Sequence, residues 1–568
     1  RSTLFPYTTL FRSPYREEAT RYGYDASSNA GLRSQLDDRS LGAIARERAA
    51  VSRALVDLAR IDRAALSPQA ALDHDVATFV YATLKDQLAR YGYVDINLRP
   101  SPYVVSQMNG AYYWLPDFLG SDHPLQSTRD VDAYFARLTA LGVTLDQETE
   151  RIRHDAGLGV IPPDFVLAKT IAQIRTLRDT PPERTALIGP AVERAGSEGL
   201  GDIQQRAGQA FRQSIVPALS RQAAALEALI PKAVDKAGVW RLPDGEAYYA
   251  SAVHSNTTAT IAIAELHQLG LQRVEDIGSQ LDRSLRAQGY ATGSVAQRIK
   301  ALNHDARFLV SDDDAGRDRL LAAAREMVDA IRAKLPAAFR TIPQESLEVR
   351  RIPVAIQNGA PGAFYSEGVA GQPGVFSLNL KSPADMPLWR LPTLAHHEGI
   401  PGHHFQAQVL KASGDLSLFR RLVRFSAYTE GWALYAERLA DELGIYRDNP
   451  VGHIGLLQSE LFRAARIVVD TGIHYKRWTR AEATRWMIDN AGEQPDAAQR
   501  EIDRYCVYPG QACSFMVGAM QIRASRELAR QKMGKRFDVR GFHDLVLRSG
   551  PVPLDVLKSA VARWSDGR

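Results

Sequence analysis

The sequence predicts a mostly α-helical protein with one small β-sheet set beside a histidine-bearing helix. Three observations carry this expectation. Apolar residues recur at three-and-four spacing over most of the first 345 positions, as in Leu41–Arg63 and Ala71–Leu88, which is the period of an amphipathic helix. Strand-like alternation is confined to a short region, Ser346–Pro353 and Val375–Leu380, each run bounded by glycine or proline. Directly after it, in Leu391–Gln408, four of the 13 histidines fall within nine positions: His396, His397, His403 and His404, with Glu398 beside them and Pro401-Gly402 between the pairs.

Taken in order, Arg1–Ser13 (RSTLFPYTTLFRS) has no amphipathic period and reads as a non-native, adaptor-like segment, in which case the true N-terminus is lost. Ser101–Pro124 is aromatic and glycine-punctuated, the mark of loops with short helices. Ser127 or Thr128 caps a helix through Leu141, and Thr144 caps the next, through Ile152. Gly157–Pro163 breaks the run and Asp164 opens a further helix; Gln204–Ile230 is a long amphipathic stretch ended by Pro231. His254 and His267 are single histidines in a helical setting and read as hydrogen-bonded structural residues. After a helix at Asp318–Leu335 come the two strands, separated by a turn-rich break at Asn358–Gly362, and later a helix from Leu418 to Gly444. At 568 residues the chain exceeds what one core organises. The expected division is a helical lobe, 14–345, and a catalytic lobe, 346–568, that carries the sheet and the metal-binding helices.

Composition excludes several functions. The 70 basic and 65 acidic residues nearly cancel and form no basic block, so a nucleic-acid partner is not expected. No run approaches the ~18 apolar residues of a transmembrane segment. Cys506 and Cys513 lie seven apart, which matches no zinc-cysteine motif, and they read as two buried thiols.

The histidine cluster has the composition of a metal site. Zinc takes neutral imidazole nitrogens and a carboxylate and leaves a position open for water. In the helical HExxH pattern the two histidines lie one turn apart and the intervening glutamate is the base. Here Pro401 stands four residues after His397, and His403 and His404 follow. On a regular helix His396/His403 or His397/His404 share a face. Pro401 breaks that regularity, because it has no N–H to give and its ring clashes with the carbonyl four residues back. A two-residue bulge at Pro401-Gly402 would bring His397 and His403 to one face; without it, His404 replaces His403.

HEGIPGHHFQ, from His397 to Gln406, resembles the HExxPGHxxQ signature of the bacterial family called domain of unknown function 885. The resemblance runs from about Pro14 to Trp564 and includes Asp130–Tyr134, Gly157–Leu167, Tyr248–Gly270, Tyr428–Glu437 (YTEGWALYAE) and Arg504–Ala512 (RYCVYPGQA). It implies a zincin-like, helical metallopeptidase fold, one zinc ion and a peptide substrate. It also implies a periplasmic, secreted or lipoprotein location. Glu430, which on its own is an ordinary helical glutamate, then becomes the third metal ligand after His397 and His403. Glu437, two turns on, becomes the alternative ligand or the partner that orients an imidazole.

The resulting expectation is a zinc-dependent hydrolase of peptide bonds with Glu398 as general base. Tyr505 is assigned to the oxyanion, with Tyr508 offering a second phenol. Arg504 is assigned to substrate binding, and Asn379 and Gln511 to further substrate contacts. Arg504 is equally readable as a salt-bridge partner. Two alternatives remain: a metal-dependent hydrolase of a non-peptide amide or cell-wall fragment, and a non-catalytic, ligand-binding helical lipoprotein.

Overall fold

The computed structural model describes residues 15–93, 100–354, 357, 361–368, 373–414 and 416–567; the adaptor-like segment and the break at 358–360 lie outside them. Helix accounts for 69% and strand for 3%, with one three-stranded sheet, so the helical class holds. Contacts divide the chain into two units, one running to Tyr248 and taking in Cys506–Tyr508, the other Tyr249–Tyr505 with Pro509–Arg568. The division falls well before the composition change at residue 346. Helices assigned by sequence to the helical lobe pack with the second unit instead.

In the first unit, α1 (Leu41–Ala59) and α2 (Pro68–Arg90) are capped by Ser40 and Ser67, whose hydroxyls accept backbone N–H groups of the first turn. The central helix, α3 (Thr128–Gly157), is capped by Ser127. It runs through Thr144 without a break, because that hydroxyl donates to the Ala140 carbonyl and makes no cap. Tyr134, Leu138, Leu141 and Leu145 of α3 form the core with Phe118, Phe211, Ile215 and Leu219. The expected helix at 204–230 is interrupted by a π-type turn at Phe211–Ile215, which turns Phe211 and Ile215 inward.

In the second unit, α4 (Ile263–Ala287) lies along α10 (Pro450–His474) at close range. A Cβ at Gly270 would come 2.9 Å from side-chain methyls of Ile467 and Val468. After α5 (Asp314–Ala330) come β1 (Leu347–Arg351), β2 (Ala363–Ser366) and β3 (Gly374–Leu378). Their order is β1-β3-β2, with β1 parallel and β2 antiparallel to β3. The strand leading into the histidine helices is therefore the middle one, and its backbone groups are used on both sides. An extended ligand must use an edge strand instead. Next come α6 (Leu391–Glu398), α7 (His403–Ala412), α8 (Leu418–Leu422) and α9 (Ser426–Glu442). The helix expected over Leu418–Gly444 is thus two helices, parted at Val423–Phe425. The chain closes with α10, α11 (Arg480–Ala491), α12 (Pro495–Tyr505), α13 (Ser514–Met533), α14 (Val539–Arg548) and α15 (Leu554–Ser565).

Asp470 of α10 ties this unit together from inside. Fully buried, it accepts the Tyr249 hydroxyl at 2.6 Å and the Gly510 N–H at 3.0 Å, which pins the Pro509-Gly510 turn. Burial drives its carboxyl up to about 7, against the pull of those hydrogen bonds. The folded chain then holds a proton that the unfolded chain releases near pH 4. Stability contributed by Asp470 is full below about pH 4 and is lost as pH rises through about 7. Asp470→Asn is expected to remove roughly 3–5 kcal/mol of that pH dependence, read as unfolding free energy against pH for both proteins. Cys506 and Cys513 are both buried, and the Cys513 thiol donates to Asp470 Oδ1 at 3.7 Å.

Candidate metal centre

The site is built by the interruption between α6 and α7. Pro401 has no N–H to bond the His397 carbonyl, so α6 ends at Glu398, and the chain turns through Gly399–Gly402 before α7 starts at His403. The structure replaces the expected bulge within one helix by a complete break. The turn is held from three directions. Gly399 N–H donates to Ala395 O at 2.9 Å, His396 Nδ1 to Ile400 O at 2.9 Å, and the indole N–H of Trp432 to Pro401 O at 2.9 Å. Gly402 is required by space, since a Cβ there would lie 1.9 Å from the His397 carbonyl oxygen. As a result the His397 and His403 rings meet with centroids 4.8 Å apart and planes at 89°.

Helix α9 brings the acids. Glu430 and Glu437 are seven residues, or two turns, apart and so lie on one face. Glu430 Oε2 is 3.4 Å from His403 Nε2 and 3.7 Å from His397 Nε2, while Glu437 Oε1 meets His397 Nδ1 at 2.7 Å. Each imidazole thus turns Nε2 towards Glu430, and Glu437 fixes the tautomer and ring plane of His397. The three donor atoms lie within 4.8 Å of one another. Tetrahedral zinc with bonds of about 2.0–2.1 Å sets its ligand atoms about 3.3 Å apart. Both edges to Glu430 are near that value, so the set fits one such ion. Burial disfavours a charged His397, but Glu430 and Glu437 outweigh it and hold the imidazole at about 9. For Glu430, burial is likewise outweighed by the two histidines, which hold its carboxyl well below the usual range. Glu398, at the end of α6, is buried, and it too supports positive charge on His397.

Glu437→Gln keeps a hydrogen-bond acceptor for His397 but removes its charge. Zinc affinity is expected to fall by about 10–100-fold, measured by competition with a chelating dye.

The other expected residues separate into those near the triad and those placed elsewhere. His404 turns to the sheet, with Nδ1 3.4 Å from the Tyr365 hydroxyl of β2 and Nε2 3.4 Å from Glu345 O, so His403 and not His404 joins the triad. The Tyr505 hydroxyl donates to Glu501 at 2.7 Å, and Arg504 donates to Gln511 Oε1 at 2.5 Å and approaches Glu501 at 3.5 Å. Gln511 in turn donates to Ser426, the first residue of α9, at 3.2 Å. Tyr508 belongs to the first unit, its hydroxyl donating to Met108 O at 2.7 Å. Asn379 uses its side chain locally, donating to Gln357 O at 2.9 Å and accepting from Lys381 N–H at 3.2 Å.

Three residues beside the centre escaped the sequence reading: Arg463 and Arg466 of α10, and Phe515. The Phe515 ring is nearly parallel to His397, centroids 6.5 Å apart, and the Arg466 guanidinium lies 4.1 Å from the centre of the same phenyl ring. The available signal was two arginines three residues apart in an otherwise apolar helical run, LFRAARIVV.

A family model described as "Bacterial protein of unknown function (DUF885)" matches residues 17–561. Two solved structures, each described as a "putative lipoprotein", share the fold. The one from Colwellia psychrerythraea is 31% identical, covers 99% of this chain and 98% of its own, and superposes with a TM-score of 0.94. The other, from Shewanella oneidensis, is 16% identical over 97% and 98% of the chains, with a TM-score of 0.68. Among curated proteins none matches the chain. No helix among the described residues is long and apolar enough to cross a membrane.

Proposed function

The chain belongs to the bacterial family DUF885, and from that premise we propose that it is a zincin-like, zinc-dependent hydrolase that cleaves peptide bonds. The observation that carries the reading is the convergence of His397, His403 and Glu430 from three helices, with Glu398 next to His397 at the end of α6. A structural ion needs no base at its side, whereas hydrolysis does. When bound, zinc supplies Lewis acidity to the scissile carbonyl and to water. His397 and His403 hold their Nε2 atoms towards that position as neutral donors, and Glu437 keeps His397 in the required tautomer. Glu398 takes the proton of the attacking water and delivers it to the leaving amine. Tyr505 donates to the oxygen that becomes negative, and Arg504 binds the substrate. Edge strand β2, whose Tyr365 touches His404, offers backbone groups to an extended peptide. An exported or lipid-anchored protein fits the description of the two structural relatives.

The test is metal content together with turnover. Purified protein is expected to carry one zinc per chain and to release amino groups from a peptide library. A folded, zinc-free chain refutes the metal; a zinc-loaded chain that releases none favours a ligand-binding lipoprotein. Release from a cell-wall fragment but from no peptide would move the cleaved bond.

A further inference from the structure

Arg466 is a buried cation whose hydrogen-bonding capacity is partly unused. It is 2% exposed, and its Nε and Nη2 atoms are shut from solvent with no hydrogen-bond partner. Glu501 Oε2 stands 3.9 Å away and already accepts the Tyr505 hydroxyl, and the Tyr505 phenol is the guanidinium's other polar neighbour. The guanidinium rests on Phe515, and Arg463, three residues earlier on α10, reaches the same ring at 5.6 Å with its own Nε buried and unbonded. Buried guanidinium N–H groups without acceptors are costly, and an anion that reaches them is bound strongly. Charge points the same way. The groups whose fields meet around the centre are Glu398, Glu430, Glu437 and Glu501 against Arg463, Arg466 and Arg504. Four negative charges against three positive ones, with a divalent ion added, leave one positive charge for a substrate to neutralise. Glu460 does not alter this count, being closed by Arg438 and by Arg523 at 2.7 Å. Asp470, which also feels Arg466, is mostly protonated at pH 6.

We propose that Arg466, supported by Arg463, receives a carboxylate of the substrate, so that the peptide is cut close to its free C-terminus. The proposal rests on the hydrolase reading and specifies its substrate. Through Phe515 the guanidinium lies within about 11 Å of the His397 ring. An extended chain advances about 3.3–3.6 Å per residue, so the piece released is no longer than about three residues.

The test is equilibrium binding at pH 6 to zinc-loaded Glu398→Gln protein, by calorimetry, of a tetrapeptide as free acid and as C-terminal amide. The amide is also compared with and without a glutamate replacing an internal glutamine. The free acid is expected to bind about 10–100-fold more tightly than its amide. Arg466→Gln and Arg466→Lys should each shrink that ratio, with binding of the free acid falling more than binding of the amide. Equal binding of acid and amide, or no binding of either, overturns the proposal, and so does a preference that responds only to the internal glutamate. These outcomes are separable from failure of the hydrolase reading. A selective binder that cleaves nothing keeps the carboxylate site and loses the reaction, while cleavage that ignores the C-terminus does the reverse.

Discussion

Replacing Glu398 by glutamine is expected to leave one zinc per chain and to lower peptide hydrolysis by about 10²–10⁴-fold. The side chain is isosteric, and the triad of His397, His403 and Glu430 does not include it. Its proton affinity is what changes, since an amide takes no proton from water and has none to give the leaving amine. The two readouts must therefore part company. Full turnover in the variant removes Glu398 from the mechanism, whereas zinc loss together with turnover would make it a ligand. His403→Ala gives the opposite pattern, losing zinc first.

Gly518→Ala is expected to destabilise the second unit by about 3 kcal/mol or more, although the substitution lies within helix α13. Propensity alone predicts the reverse sign, because alanine in a helix interior is favoured over glycine by about 1 kcal/mol. The contact decides it. A Cβ at position 518 would lie 1.9 Å from Ala427 O and 2.8 Å from the Cα of Gly431, both in α9. These are backbone atoms, so no rotamer change relieves the overlap and the two helices must separate. Helix α9 carries Glu430 and Glu437, so zinc affinity should fall with stability. A urea midpoint that drops with unchanged slope, together with a weaker zinc titration, is the expected pair. A midpoint equal to or above the parent's would show that α9 and α13 are less tightly apposed.

Local signals made the helical class, the cap at Ser127, and the strands around Val349 and Phe376 legible. Strand β2 was not, because AFYS follows a glycine-proline turn and is too short to alternate visibly; it exists through its pairing with β3. The same non-local pairing makes β3 central, which no property of its own residues reveals. At the centre, the chemistry of Pro401 was readable but its extent was not. A missing N–H predicts a disturbed helix, whereas the full break is also held by a distant contact, the indole N–H of Trp432, 31 positions later, donating to the Pro401 carbonyl. Arg463 and Arg466 were passed over because helical arginines usually face water, and only the tertiary packing around Phe515 shows Arg466 buried and Arg463 half-buried.

The seven-residue interval between Glu430 and Glu437 acts as a ruler for one imidazole, whose two nitrogens are gripped from successive levels of the same rod. An insertion or deletion of one residue between them would rotate one acid by about 100° relative to the other and release one side of His397. On the proposed reading, members of the family that hold a metal should therefore show no length polymorphism in this interval, however far the rest of their sequences drift. A metal-loaded relative with six or eight residues there would contradict the paired grip on His397.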